Sequence, residues 1–207
     1  FGTGTTPGIV VKVALGSGAN PPTRTGAVNF SNGEGYLTSG GIDTVAGYAY
    51  FSTNTFPAGR VVKVALGSGA NPPTRLGALT LNSGENNLIS GVIDTAGGYA
   101  YFGTSTVPGQ VVKVALGSGA NPPTRTGAVI LNSTEIGLAS GVIDTAGGYA
   151  YFGTGGDPFA IVVKVALGSG ANPPTRTGAV TLNTGAMASG VIDAAGGYAY
   201  FGTTTLQ

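Results

Sequence analysis

Four near-identical copies of one segment of about fifty residues make up almost the whole of this 207-residue chain. Each copy contains the phrase VVKVALGSGANPPTR, and the lysines of successive copies are 51, 50 and 51 residues apart. A second phrase, close to SGVIDTAGGYAYFGT, follows each of them. A repeat of this length indicates units that bury their apolar surface by packing against their neighbours. We therefore expect one domain over 1–207, with repeats at approximately 1–51, 52–102, 103–152 and 153–207.

Each repeat holds four segments with the composition of short β-strands. They are rich in Val, Leu, Ile and Tyr, and clusters of Gly, Pro, Asn and Ser separate them. Four antiparallel strands in about fifty residues match one blade of a β-propeller, so the sequence predicts an all-β, four-bladed propeller. In the second copy the predicted strands are Val61–Leu66, Gly77–Leu81, Ser90–Asp94 and Tyr99–Thr104.

Both faces of these strands are largely apolar. In the valine-rich strand, Val62 and Val64 lie on one face, while Val61 and Ala65 flank Lys63 on the other. A blade stacked between two others buries both of its faces, whereas each sheet of a sandwich buries only one. The pattern therefore favours units arranged radially about an axis.

The phrase IDTAGGYAYFGT followed by PGQVVKVAL resembles the core of surface-layer (YVTN-type) and related NHL-like β-propeller repeats. The resemblance covers essentially the whole chain, which differs in having Gly-Thr where that family has Thr-Asn and in its long GSGANPP insertion. It implies a propeller fold in which SGVID is the innermost strand of a blade. YAYFGT is then the second strand, VVKVAL the third and GAVTL the outermost.

The same order predicts how the ring closes. The inner pair at Ser189–Thr203 can join the outer pair at Ile9–Phe30 to make the last of four blades. However, the segment Phe1–Thr3 has the same sequence as Phe201–Thr203 and the same position in the repeat. The two segments cannot both occupy that position in one blade. Either one end is unpaired, or it pairs with another molecule, or the chain is a section of a longer repeat array. Spare strands are a route to assembly, so we expect a homo-oligomer or polymer.

Loops in a propeller alternate between its two ends. The turns equivalent to Thr95–Gly98 and the loops equivalent to Gly67–Thr74 share one end, where the copies are almost invariant. The connections at the other end diverge, and loops on a rigid scaffold commonly carry recognition, although drift in unconstrained loops is the simpler explanation of the divergence. The candidate binding residues of this varied end are Glu34, Tyr36, Arg60, Glu85, Asn86, Asn87, Glu135 and Asp157.

The chain has no His and no Cys, which excludes the usual catalytic triads, thiol nucleophiles and common zinc sites. An Asp closes each innermost strand just before a Gly-rich turn, where it can cap the backbone amides of that turn. No acidic loop of the EF-hand kind accompanies these residues. We predict no enzymatic activity and no cofactor, and we assign turn capping to Asp43, Asp94, Asp144 and Asp193.

A lysine stands in the middle of every valine-rich strand, and an arginine precedes every outermost strand. The simplest interpretation of Lys63 and Arg75, with their equivalents, is a stem lying over apolar surface with its charge in water. Pairing with an Asp or Glu of the same or the next blade is the alternative.

The overall charge is low, with 8% charged residues and a formal net charge of +1. Nothing here predicts binding to nucleic acid, and no apolar run is long enough to span a bilayer. Sequons at Asn29 and Asn132 are candidate N-glycosylation sites in a secreted protein. Threonines beside the prolines are candidates for O-linked sugar: Thr23, Thr74, Thr124 and Thr175.

Near-identity of the copies, even in exposed loops, indicates recent duplication and suits a building material better than a tuned active site. We therefore expect a non-enzymatic extracellular or cell-surface structural module, such as a subunit of a surface layer or filament. The alternative is a lectin-like propeller that binds carbohydrate or protein, since repeated weak sites on one scaffold gain by avidity.

Overall fold

The computed structural model describes residues 1–156, 160–182 and 185–204, which form sixteen β-strands. β1 (Ile9–Ala14) and β2 (Thr23–Asn29) pair in an N-terminal half-sheet. Three four-stranded antiparallel sheets follow, which we call blades A, B and C. β15 (Met187–Asp193) and β16 (Tyr198–Thr203) then pair in a C-terminal half-sheet.

The strands of each blade lie side by side in chain order, as the sequence predicts. Blade A consists of β3 (Leu37–Asp43), β4 (Tyr48–Thr53), β5 (Arg60–Ala65) and β6 (Thr74–Thr80). Blade B consists of β7 (Leu88–Asp94), β8 (Tyr99–Thr104), β9 (Gln110–Ala115) and β10 (Thr124–Ile130). Blade C consists of β11 (Leu138–Asp144), β12 (Tyr149–Thr154), β13 (Ala160–Ala166) and β14 (Thr175–Leu182).

The blades stack face to face with their first strands together. β3 lies beside β7, β7 beside β11 and β11 beside β15, while the outermost strands lie farther apart. The arrangement is therefore a radial, propeller-like array in which SGVID forms the innermost strand.

The core lies between neighbouring blades rather than inside any one of them. Between blades B and C, for example, Val92 and Tyr101 pack with Phe152 and Val163. Burying one such side chain contributes about 1.5–3 kcal/mol, so each pair of adjacent sheets is held by its shared apolar layer. The prediction that both faces of a blade are buried is confirmed, since all four central residues of β5 are buried.

The outermost strand begins earlier than the sequence predicts. β6 starts at Thr74 rather than Gly77, because Thr74 and Arg75 pair with Ala65 and Val64 beyond a shift in register. Polar residues before a glycine gave no strand signal, and the pairing depends on the bulge that accommodates them.

The predicted closure of the ring is wrong for the described residues. Phe1–Thr3 pairs with β1: the Phe1 carbonyl accepts from Val11 N–H at 2.8 Å, and Gly2 forms a bridge with Val10. The place that Phe201–Thr203 would need is thus occupied, and β16 belongs to a separate sheet. The described array consists of three whole blades between two half-sheets, without a closed ring.

Across the described ranges, no helix is long and apolar enough to cross a membrane.

Candidate functional site

A buried lysine ammonium group joins each blade to the next. Lys113 of blade B is 0% exposed, and its Nζ reaches the GSGANPP loop of blade C. It donates to the carbonyl oxygens of Gly168 at 2.8 Å, Gly170 at 2.7 Å and Asn172 at 3.0 Å, and to that of Leu167 at 3.0 Å. The glycines permit this loop, since Gly168 and Gly170 have φ of 70° and 50°, a region that other residues rarely adopt.

Two tyrosines of the second strand complete this site. The Lys113 ammonium lies 4.2 Å from the ring centroid of Tyr99 and 5.6 Å from that of Tyr101. Both distances suit a cation–π contact. The Tyr101 hydroxyl donates to the Leu167 carbonyl at 3.1 Å, and burial raises its pKa above the ordinary range.

Lys63 of blade A makes the same site with the loop of blade B. Its Nζ donates to Gly117 O at 2.7 Å and Asn121 O at 3.1 Å, over the ring of Tyr48. The pKa of Lys63 is lowered overall, because the effect of burial outweighs the opposite effect of the Asp43 charge. The prediction of a solvated lysine head is therefore wrong for Lys63, as it is for Lys113, because carbonyls fifty to sixty residues later in the chain replace the water.

The GSGANPP loop is thus a ring of carbonyl oxygens that holds a primary ammonium group. Carbonyl dipoles aimed at one point stabilise a cation, which is the opposite of a phosphate loop with its inward N–H groups. We call the combination of one lysine, the two tyrosines of its own blade and the carbonyl loop of the next blade a lysine site.

The two outer lysines have only part of this site. Lys12 of the N-terminal half-sheet donates to the carbonyls of Gly67, Gly69 and Asn71, but Phe1–Thr3 supplies no tyrosine beside it. Lys164 of blade C lies 3.8 Å from the ring centroid of Tyr149. No carbonyl loop of a following blade meets Lys164 within the described residues.

Ion pairs between connections and blades account for the candidate acids. Glu34 is buried in the connection into blade A, and its Oε2 accepts from Arg75 Nε at 2.7 Å and from Ser31 N–H at 3.0 Å. Glu85 pairs with Arg125 and Glu135 with Arg176 in the same way, both with two guanidinium nitrogens. The alternative interpretation of the arginines, pairing with an acid, is the correct one for Arg75, Arg125 and Arg176.

For Glu34 and Glu135, these contacts favour the ionised carboxylate by lowering its pKa. Burial by itself raises the pKa of Glu34, but the Arg75 guanidinium and the Ser31 N–H outweigh it and hold the pKa below its ordinary value. The pKa of Glu135 is lowered in the same manner by Arg176 and the Asn132 N–H. Glu34 and Glu135 are thus structural links between a connection and a blade.

The remaining candidates of the varied end do not converge on one place. Asn86 is buried and donates to the Pro57 carbonyl, whereas Tyr36 is exposed, and both Tyr36 and Asn87 have positive φ. Arg60 reaches the Asn32 carbonyl at 3.4 Å. Asp157 lies outside the described residues. The predicted division into two ends is confirmed, because Gly59 N–H donates to the Glu85 carbonyl across the varied end.

A shallow groove of about 280 Å³ opens at the varied end between blades B and C. Val107 and Ile136 line it together with the hydroxyl-bearing Ser105 and Thr106. Among the residues that the structure describes, none of those predicted to bind a ligand lines this groove.

The four inner-strand acids cap turns, as predicted. Asp94 Oδ1 accepts from Gly97 N–H at 2.8 Å, and the other three repeat this bond. Within the part of the chain that the structure describes, no three His, Cys, Asp or Glu side chains gather at a possible metal position. The glycosylation candidates are all exposed: Asn29, Asn132, Thr23, Thr74, Thr124 and Thr175.

No protein-family model and no curated protein sequence matches the chain. Solved structures do match the chain. A functionally unknown protein from Desulfotomaculum acetoxidans matches 94% of this chain with a TM-score of 0.71 and 13% identity. Chaetomium thermophilum Sqt1, bound to the N-terminus of the ribosomal protein L10, matches 94% with a TM-score of 0.65 and 13% identity. A nidogen/laminin complex matches 97% with a TM-score of 0.60 and 13% identity.

These likenesses concern the fold alone. The chain spans 56% of the Desulfotomaculum protein, 50% of Sqt1 and 68% of the nidogen/laminin chain. Together with the radial stack of four-stranded blades, they define the class: this is a β-propeller-like repeat protein.

Proposed function

We propose that this chain is a non-enzymatic structural module that assembles with copies of itself in an extracellular or cell-surface material. Most charged side chains of the repeat have a structural role: lysine sites and buried Arg–Glu pairs join blades, and the inner-strand aspartates cap turns. The resemblance of the repeat to surface-layer (YVTN-type) and NHL-like propeller repeats supports the same proposal.

The observation that carries the proposal is the exposed apolar surface of the C-terminal half-sheet. Val191 is 67% exposed although its equivalent Val142 is 5% exposed, and Tyr200 is 59% exposed although Tyr101 is 1% exposed. Side chains that are buried in the other repeats are exposed to water here. Burying one such side chain fully would contribute about 1.5–3 kcal/mol. The backbone edge of β16 away from β15 is also unpaired among the described residues, and such an edge is a template for pairing with another chain.

The test is the mass of the 207-residue chain in solution as a function of concentration. Light scattering after size-exclusion chromatography should give oligomers that grow with concentration, and negative-stain electron microscopy should show rings, filaments or sheets. A monomer at every concentration would overturn the proposal. Immunogold labelling of source cells tests the surface location, where an interior label would contradict it.

A binding propeller is the second candidate. The groove between blades B and C offers apolar walls with two hydroxyls, which suits a short peptide or a sugar. Binding of the monomer to a glycan or peptide array, lost in Val107→Asp or Ile136→Asp, would favour this candidate.

A further inference from the structure

We propose that the C-terminal half-sheet of one copy pairs with β1 of a second copy, completing a four-stranded blade and two lysine sites at once. The inference rests on the proposed self-assembly and names the two surfaces that perform it. Four independent features of the two end faces are complementary.

The first feature is the missing carbonyl loop of Lys164. The loop between β1 and β2 has the same sequence as the loops that hold Lys12, Lys63 and Lys113, yet it meets no lysine within the described residues. In the completed blade, this loop of the second copy is the next loop after Lys164. Its Gly16 and Asn20 carbonyls then accept from the ammonium as those of Gly168 and Asn172 do from Lys113.

The second feature is the missing tyrosine pair of Lys12. Tyr198 and Tyr200 stand on β16 where Tyr99 and Tyr101 stand on β8, but they are exposed and have no lysine beside them among the described residues. Pairing of β16 with β1 of the second copy places that copy's Lys12 across from Tyr200. The observed pair of Tyr101 and Lys113 on β8 and β9 sets this register.

The third feature is an empty space over Gly178. A Cβ at the equivalent Gly77 or Gly127 would lie 3.1 or 2.7 Å from a proline Cβ in the next blade's loop, so glycine is needed there. A Cβ at Gly178 would meet nothing within 4 Å. Pro21 of the second copy is the proline that fills this space in the completed blade.

The fourth feature is a groove of about 610 Å³ beside the N-terminal half-sheet. Gly40, Ile42 and Val64 line it, on the face of blade A that has no inner strands before it. In the assembly this groove belongs to the second copy and receives the exposed Val191 of the first copy, since the equivalent Val142 packs over Gly190 of the next half-sheet.

Phe1–Thr3 occupies the edge that β16 would take. Gly2 bridges to Val10 just as Gly103 of β8 pairs with Val111 of β9. Assembly therefore exchanges this three-residue segment of the second copy for the six residues Tyr198–Thr203 of the first copy. The contact joins unlike faces, so it generates a ring when the rotation closes and a filament when it does not.

Two variants block one face each without disturbing the free chain. Gly178→Val fills open space on an outer strand, and Ile42→Asp places a charge on a side chain that is already exposed. By sedimentation velocity, each variant alone should be monomeric at concentrations where the unaltered chain associates, a loss of at least about tenfold in affinity. Val45→Asp, at an exposed turn away from both faces, is the matched control and should associate normally.

Mixing the two variants is the decisive step. The Gly178→Val chain keeps its N-terminal face and the Ile42→Asp chain keeps its C-terminal face, so a 1:1 mixture should form heterodimers that grow no further. In the assembly, Lys164 should also react more slowly with an amine-labelling reagent than it does in the monomer.

The outcomes separate this inference from the proposed function. If the unaltered chain associates and both variants still associate alone, the assembly uses other surfaces, and this inference fails while the proposed function stands. A mixture that stays monomeric also overturns the inference. A monomeric unaltered chain overturns both.

Discussion

The two middle lysines and the two outer lysines have the same sequence around them and different surroundings. Lys63 and Lys113 lie between tyrosines of their own blade and carbonyls of the next, with no exposed surface. Lys12 has the carbonyls and Lys164 has the tyrosines. The comparison teaches that the site belongs to the joint between repeats and not to the repeat, so identical residues have different roles at different positions in the array.

The lysines themselves should show the largest difference. Lys113→Met keeps an unbranched side chain, one atom shorter, but leaves up to three partly buried carbonyls without a donor, and we expect a loss of about 3 kcal/mol in the free energy of unfolding. Lys164→Met, measured on the monomer, should change it by less than about 0.5 kcal/mol. Urea denaturation followed by circular dichroism gives both values. Equal losses would contradict the distinction.

The Arg–Glu pairs should show the next largest effect. Glu135→Gln leaves the Arg176 guanidinium without its carboxylate, and about 2 kcal/mol of stability should be lost, less than for a fully buried pair because Arg176 is partly exposed. Arg24 has no acidic partner among the described residues, so Arg24→Gln should cost less than about 0.5 kcal/mol. Thermal unfolding of the two variants checks this, and a larger cost at Arg24 would mean that its partner has been missed.

The tyrosine hydroxyls should sharpen the comparison on a smaller scale. Tyr101→Phe removes a buried hydrogen bond to the Leu167 carbonyl and should cost about 1 kcal/mol. Tyr200→Phe should be close to neutral in the monomer because that ring is exposed. A change in the urea midpoint for Tyr101→Phe that does not exceed the change for Tyr200→Phe would argue against the site as described.

Acid should weaken the joints by the smallest amount. The pKa of Glu34 and that of Glu135 are lowered from an ordinary value of 4.5, so the unfolded chain takes up protons first as the pH falls. Their stabilisation is therefore complete above about pH 4.5 and is lost as the pH falls through the folded-state values. Urea midpoints near pH 7 and near pH 3.5 should differ, and Glu135→Gln should reduce the difference.

Local and periodic features were predictable from the sequence. The strands of a blade, their order, the two ends and the Asp94 turn cap depend on neighbours a few residues away or on the repeat itself. The lysine sites were not predicted, because Lys63 meets carbonyls 53 to 58 residues later in the chain. The invariance of the lysine together with the GSGANPP loop was a usable signal.

The candidate site was predicted in its parts and not in its connections. The sequence singled out Glu34, Glu85 and Glu135 as ligand-binding residues of a varied end, where the structure has them buried against arginines about forty residues away. A side chain's partner at that distance depends on how two sheets stack. An acid is rarely buried without such a partner. The sequence of the loops alone could therefore predict neither the burial of these glutamates nor their arginine partners.

The amino-acid sequence by itself determined the unit of this protein and the need of that unit for a neighbour on each side. Both follow from covalent order, since a fifty-residue period and two apolar strand faces are properties of the chain. Only the tertiary structure decided that Lys63 and Lys113 are buried and that the described array stays open. Those outcomes depend on the angle at which each sheet packs on the next, and many side chains from different repeats set that angle together.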